Sequence, residues 1–242
     1  MSVVIAARKT GVVAGLDAAR YALKLVDADM VLNVELDDGS AIKPGDVIAR
    51  LDGKARSILT AERTMLNFIG RLSGIATKTS HFVSAVSHTN ARIVCTRKTT
   101  PGHRAVEKRA VRCGGGTSHR YGLDDAIMIK DNHIAACGSI SEAMTRAKAY
   151  AGHLRMIEIE VDNLDQLREA IKFEPDAILL DNMDNDTLRR AVAIINDRAI
   201  AEASGGVNLD TVAGIAETGV DFISVGALTH SAPNLDVGMD VA

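Results

Sequence analysis

The chain has 242 residues and a formal charge of −3, with 47% hydrophobic residues, 3% aromatic ones and no tryptophan. That length falls between one large domain and two smaller ones, and the apolar fraction is enough for a sizeable core built from Ala, Val, Ile and Leu, as in β/α units. A slightly acidic chain argues against a general nucleic-acid binder, three cysteines (95, 113, 137) without a C-x-x-C pair argue against a disulfide scaffold, and no apolar run is long enough to span a bilayer. The N-terminus, M-S-V-V-I-A-A-R-K-T, puts its apolar residues before its charges, the wrong order for a secretory signal. The expectation is a reduced, cytoplasmic protein with no membrane contact.

Residues 2–58 read as β-rich. Ser2–Arg8 is a short apolar strand, Asp17–Val26 a helix, Met30–Leu36 an alternating strand and Asp46–Leu51 a further strand. The turns at Asp37-Asp38-Gly39 and Pro44-Gly45-Asp46 follow from glycine's access to positive φ and proline's fixed φ. The run D-G-S-A-I-K-P-G-D-V-I-A-R-L resembles the small sandwich of biotinyl and lipoyl carrier domains. It lacks their lone lysine at a hairpin tip, so it reads as a structural sandwich. Thr60–His88 is helical, with Thr60 as its expected N-cap and Met65, Leu66, Ile69, Leu72 and Ile75 as its apolar stripe. This segment bridges the two halves, giving an expected partition of 1–60, 61–90 and 91–242, with the C-terminal tail returning to the sandwich.

From Ala91 the pattern becomes β/α. Strand-like runs at Arg92–Cys95, Ala126–Lys130, Met156–Val161, Ala177–Leu180, Ile200–Ala203 and Phe222–Val225 alternate with helical runs near 103–112, 139–150, 163–172, 184–196 and 208–218. Asp162-Asn163, Asp184 and Asn208 are the N-cap candidates. The spacings Glu160 to Asp181, Asp181 to Ala203 and Ala203 to Val225 are 21, 22 and 22 residues. With no hairpin signals, this argues for parallel strands in a (β/α) barrel or doubly wound sheet.

Chemistry-bearing residues recur where those strands end: Arg97-Lys98, Lys130, Glu160, Asp181, Ser204-Gly205-Gly206 and Gly226. Barrel enzymes use that rim, so residues distant in sequence converge on it. The stretch from Arg97 to Arg120 carries seven Lys or Arg against a single acid, Glu107, a local cationic region suited to a small polyanion. Within it, Lys108, Arg109 and Arg112 read as a solvated helix face. Arg97-Lys98 and His119-Arg120 sit at loop junctions and read as functional. In I-E-I-E-V, Glu160 is taken as the inward acid and Glu158 as facing the opposite way. The glycines of A-S-G-G-V and V-G-A-L allow backbone N–H groups and the following helix ends to approach phosphate. Gly114-Gly115-Gly116 lacks dinucleotide spacing, and reads as backbone that passes close to a ligand. The set fits a phosphorylated sugar and an anionic acceptor.

The segments T-A-E-R-T-M-L-N-F-I-G-R-L-S-G-I-A-T, T-R-K-T-T-P-G-H-R, G-G-G-T-S-H-R-Y-G-L-D-D, I-K-D-N-H-I, E-I-E-V-D, L-L-D-N-M and V-D-F-I-S-V-G-A-L-T-H, in that order from about Lys9 onward, resemble the quinolinate phosphoribosyltransferases, or carboxylating nicotinate-nucleotide pyrophosphorylases. The resemblance implies an open α/β sandwich followed by an incomplete, seven-stranded α/β barrel, in a homodimer. It implies that Arg97, Lys98, His119, Arg120 and Lys130 bind the quinolinate carboxylates and nearby phosphates, with Thr96 beside them. Glu160 and Asp181 would face the ribose of phosphoribosyl pyrophosphate and Mg²⁺. Ser204, Gly205, Gly206, Val225, Gly226 and Ala227 would hold phosphate. Lys98, Lys130, Glu160 and Asp181 would carry the chemistry, and Arg63 would reach into the partner's site. The family usually has a longer lead-in before G-V-V-A-G-L, so the sandwich is expected to be shortened here. The rival readings are a related phosphoribosyltransferase for another acceptor, an inactive paralogue, and a nucleic-acid binder. The last is disfavoured because Tyr121 is the only aromatic residue in the basic stretch.

Overall fold

The computed structural model describes all residues, 1–242, and by contacts the chain falls into two compact units. The first gathers 1–81, 98–117 and 227–242; the second gathers 82–97 and 118–226.

In the first unit, strands β1 (Ser2–Ala7), β3 (Val31–Val34), β5 (Val47–Asp52) and β12 (Val237–Val241) form an antiparallel sheet in the order β12-β1-β5-β3. The strands β2 (Gly11–Val12) and β4 (Ala41–Ile42) make a separate pair. The β1/β5 register sets Val3 opposite Leu51 and Ile5 opposite Ala49. These alternating apolar positions join Leu16, Ala19 and Leu23 of helix α1 (Leu16–Val26) and Ile58, Met65 and Ile69 of helix α2 (Ala55–Ala85) in one core. Helix α2 begins at Ala55, so Thr60 is not its N-cap. Thr60 lies inside the helix, and its hydroxyl donates to the Arg56 carbonyl at 2.8 Å. The helix is longer than its apolar stripe, because Ala55-Arg56-Ser57-Ile58 already places Ile58 in the core. Helix α3 (Arg104–Cys113) completes the unit with α9 (Ala227–His230).

The C-terminal segment lies along α2, where small residues permit the approach. The Leu235 N–H donates to the Gly70 carbonyl at 2.9 Å. A Cβ added at Gly74 would stand 1.9 Å from the Pro233 carbonyl oxygen.

In the second unit, six parallel strands run in the order β6-β11-β10-β9-β8-β7: β6 (Arg92–Val94), β7 (Ile127–Ile129), β8 (Ile157–Val161), β9 (Ala177–Asp181), β10 (Ile200–Ser204) and β11 (Phe222–Ser224). The seventh strand that the resemblance implies is not among them. Helices α4 (Asp131–Cys137), α5 (Ile140–Tyr150), α6 (Leu164–Ala170), α7 (Asn185–Ile195) and α8 (Val212–Ala216) connect the strands, giving the α/β barrel-type pattern. Asn163 and Asp184 are N-caps as expected: Asn163 accepts from the Asp165 and Gln166 N–H groups, and Asp184 from that of Thr187. Asn208 instead organises a turn, accepting from the Asp210 and Thr211 N–H groups, and the helix after it starts only at Val212. No helix is long and apolar enough to cross a membrane.

The Gly74 contact gives a signed prediction. Alanine is favoured over glycine inside a helix by about 1 kcal/mol, but the Pro233 carbonyl is backbone and cannot step aside. Gly74→Ala is expected to lower the melting temperature by roughly 5 °C. Gly152→Ala, whose Cβ would enter open space, should leave it nearly unchanged. A Gly74→Ala chain that melts at or above the wild-type temperature would show that the C-terminal segment does not pack on α2 in this way.

Candidate active site

Because the six strands are parallel and hydrogen-bonded side by side in one sheet, their C-terminal ends share one edge. Thr96 and Arg97 follow β6, Lys130 follows β7, Glu160 lies near the end of β8, and Asp181 closes β9. Ser204 closes β10, and Val225-Gly226 follow β11. Asp181 and Ser204 are register partners on adjacent strands. Lys98, Ala227 and Arg63 belong to the first unit, where Arg63 is exposed on α2.

The most buried charges at this sheet were missed by pattern reading. Glu158 and Glu202 are 7% and 6% exposed, and the His119 Nε2 lies 3.2 Å from one and 3.4 Å from the other. Glu158 does not face away from Glu160. Residues two apart on a strand point to the same side, so both acids leave the helix-packed face, which carries Ile157, Ile159 and Val161. The sequence did hold a signal, since a glutamate inside an otherwise apolar parallel strand needs a partner. Burial of the imidazole is the largest single influence on its pKa and pulls it down. The hydrogen bonds and charges of the two glutamates reverse this and push it up to about 10. The Arg120 N–H aims at Nδ1 from 2.8 Å, a contact that suits a neutral ring. One amide contact is weaker than two close carboxylates in a low-dielectric setting, so the ring is cationic at neutral pH. The stability this interaction contributes is therefore complete below the ordinary value of 6.5 and is lost as pH rises through about 10.

His119, Glu158 and Glu202 bring one nitrogen and two carboxylates within 4.8 Å of one another. Protonated, the imidazole balances one of these two negative charges. Arg120 stands next along the chain, and its guanidinium donates to the Ala126 carbonyl at 3.3 Å. Burial, then the nearby Arg97 charge, lower its pKa from the ordinary value, against the pull of Glu158 and Asp125.

Lys130 Nζ is hydrogen-bonded to Glu160 Oε2. The Asp181 carboxylate accepts from Asn182 Nδ2 at 2.6 Å. Asn182 and Gly205 both adopt left-handed backbone, at φ 53° and 94°, and a Cβ on Gly205 would stand 2.1 Å from the Asn182 amide oxygen. Gly206, at φ 60°, faces open space. The backbone at this turn is thus both fixed and approachable. The helices that follow are not strong dipole sources, since α8 has five residues and α9 four.

Two further expectations change. Lys108 is not solvated: it is 3% exposed, while Arg109 pairs with Asp17 at 2.6 Å and Asp38 at 3.6 Å, and Arg112 alone is simply exposed. The helix α3 buries Glu107, Lys108, Ala110 and Val111, so two charged residues lie on its inner side, Glu107 paired with Arg71. Gly114 and Gly116 are explained by packing, not by a ligand. A Cβ at Gly114 would meet the Ala76 carbonyl oxygen at 2.3 Å, and one at Gly116 the Thr79 methyl at 2.7 Å.

Fold and site together define a β/α enzyme of the barrel type, with a buried His119–Glu158–Glu202 cluster beside Arg120 and a left-handed glycine turn on one strand edge. Comparison with known proteins specifies the family. The quinolinate phosphoribosyl transferase N-terminal domain matches residues 1–73 and the C-terminal domain residues 75–240. A probable carboxylating nicotinate-nucleotide pyrophosphorylase of Bacillus subtilis is 46% identical over 237 residues, covering 98% of this chain and 82% of that protein. The Mycobacterium leprae nicotinate-nucleotide pyrophosphorylase is 46% identical over 240 residues, covering 97% and 84%. The structure of the Francisella tularensis nicotinate-nucleotide pyrophosphorylase superposes with a TM-score of 0.96 at 40% identity, covering 100% of this chain and 86% of that one. This chain belongs to the quinolinate phosphoribosyl transferase family.

The charge state of His119 is directly measurable. In a nitrogen-15 NMR titration its ring is expected to remain doubly protonated at pH 8, and in the Glu158→Gln/Glu202→Gln double variant to titrate well below the wild-type value of about 10. A wild-type ring that titrates near 6.5 would contradict the carboxylate clamp.

Proposed function

We propose that the chain transfers the phosphoribosyl group of phosphoribosyl pyrophosphate to quinolinate with decarboxylation, giving nicotinate mononucleotide, pyrophosphate and CO₂. The observation that carries this reading is the grouping of Arg97, Arg120 and a carboxylate-clamped His119 at one strand edge with the Gly205-Gly206 turn. The family membership and the names of the relatives support it.

In this reading the ring nitrogen of quinolinate attacks the anomeric carbon of the ribose as pyrophosphate departs. Arg97, Arg120, His119 and Lys130 hold the two carboxylates, and arginine suits this because its planar fork binds a carboxylate bidentately. Glu160 and Asp181 stabilise positive charge on the ribose as the bond to pyrophosphate breaks. Lys98 and Thr96 attend the phosphates with Ser204, Gly205, Gly206, Val225, Gly226 and Ala227. Once the ring nitrogen is alkylated, the adjacent carboxylate leaves as CO₂. Its electron pair stays on the ring carbon, stabilised by the cationic nitrogen, and takes up a proton. The protein positions and desolvates; no nucleophilic side chain is required.

The donor set at the strand edge also fits Mg²⁺. Glu160 and Asp181 offer hard carboxylate oxygens at the ends of neighbouring strands, and Mg²⁺ typically takes one or two carboxylates plus substrate phosphates. When bound, the ion would supply neutralisation of the pyrophosphate leaving group. The working assembly in this reading is a homodimer, with Arg63 donated across the interface, in a reduced cytoplasmic setting that suits three free thiols.

The test is a CO₂-release and product assay on purified protein. Quinolinate is expected to turn over in the presence of Mg²⁺, and nicotinate far less; equal turnover of nicotinate, or indifference to chelation of the metal, would refute the reading. The same assay tests Arg63. Arg63→Ala and Arg97→Ala chains, each inactive alone, should recover about a quarter of wild-type activity when mixed and allowed to exchange, because half the dimers are mixed and one of their two sites is complete. A mixture as inactive as its parts places Arg63 in its own chain's site.

A further inference from the structure

Glu107 is the single acid in the basic stretch from Arg97 to Arg120, and it is fully buried. A carboxylate in that position is tolerated only with partners, and the partners are specific. Glu107 accepts from Arg71 Nη2 at 3.0 Å, from the Thr100 N–H at 3.1 Å and from the Thr100 hydroxyl at 2.9 Å. The same Arg71 guanidinium donates to the Ala232 carbonyl at 2.9 Å and to the Thr229 carbonyl. Thr229, itself fully buried, donates its hydroxyl to the Lys98 carbonyl at 2.7 Å. Between these points Arg104 Nε donates to the Thr99 hydroxyl at 3.1 Å.

The segment Lys98-Thr99-Thr100-Pro101-Gly102 is a loop with a left-handed glycine at φ 78°, the kind of connection that is mobile unless tied down. Here three consecutive residues are each held, and two of the holders, Glu107 and Thr229, are joined through one guanidinium. We propose that Glu107, Arg71 and Thr229 are positioning residues for Lys98, fixing the backbone from which that lysine projects. None of the three is assigned to touch substrate. The inference rests on the reading of Lys98 as a phosphate-binding residue.

Removing Glu107 outright risks the fold, because Arg71 would be left with a half-buried charge. The test therefore uses Thr229→Val, which deletes one hydroxyl at nearly constant shape, in a cycle with Lys98→Ala. Both are assayed for kcat/KM of phosphoribosyl transfer, and folding is followed by melting temperature. Thr229→Val is expected to lower kcat/KM roughly fivefold, the size of one hydrogen bond, with Thr229→Ser restoring it. In the Lys98→Ala background, the same Thr229→Val change should cost nothing further. Equal losses in both backgrounds would show a general structural effect and overturn the inference, as would a fully active Thr229→Val chain when Lys98→Ala is impaired. A Lys98→Ala chain as active as wild type would remove the role of Lys98 and the inference with it, while quinolinate turnover by the unmodified chain would still stand as a separate result.

Discussion

The strand edge depends on two carboxylates held largely out of water's reach. Glu158 and Glu202 project from the parallel strands β8 and β10 into the sheet's inner side, each less than 10% exposed. Charges so placed are tolerable only if a cation stays beside them, and His119 is that cation. The consequence reaches beyond the cluster. Arg120, next along the chain, feels both Glu158 and the Arg97 charge, so the electrostatics of the cluster extend to the two guanidiniums.

The second constraint is the parallel order of the strands. One sheet brings six loop starts to one edge, so residues from Arg97 to Gly226 meet without any of them being close in sequence. The first unit contributes by a different means. Its basic helix α3 is not a solvated arm: Arg109 is paired with Asp17 and Asp38, and Glu107 is buried against Arg71. Charge on α3 is thus largely neutralised within the first unit.

Much of this was legible in the sequence, for reasons that can be located. The β/α periodicity and the near-constant 22-residue spacing marked the strands, and with them the strand-end positions of Arg97, Lys130 and Asp181. Asn163 and Asp184 were readable because a short polar side chain before an apolar periodic run has one obvious use. The inward acids were harder. Alternation was applied to Glu158 and Glu160 with the wrong parity, and Glu202 sits in I-A-E-A-S, too short a run to show a period. Elements α4 and α9, of seven and four residues, are too short to show a period either; the C-terminal tail does return to the sandwich as expected, but Gly238 and Asp240 disguise the strand β12, whose pairing with β1 is set by distant residues. Lys108 illustrates the opposite failure, because composition sees a charge and only packing shows where it points.

The central claim is that the cations at the strand edge hold the acceptor while those on α3 hold the fold. Calorimetric titration of quinolinate into the purified protein and its single variants tests it most directly. Arg97→Ala and Arg120→Ala are each expected to weaken binding about thirtyfold, the loss of a charge-assisted contact worth about 2 kcal/mol. Arg109→Ala, which breaks only half-exposed pairs, should weaken it less than about fivefold. Equal losses at all three positions would contradict the division of charge on which this account stands.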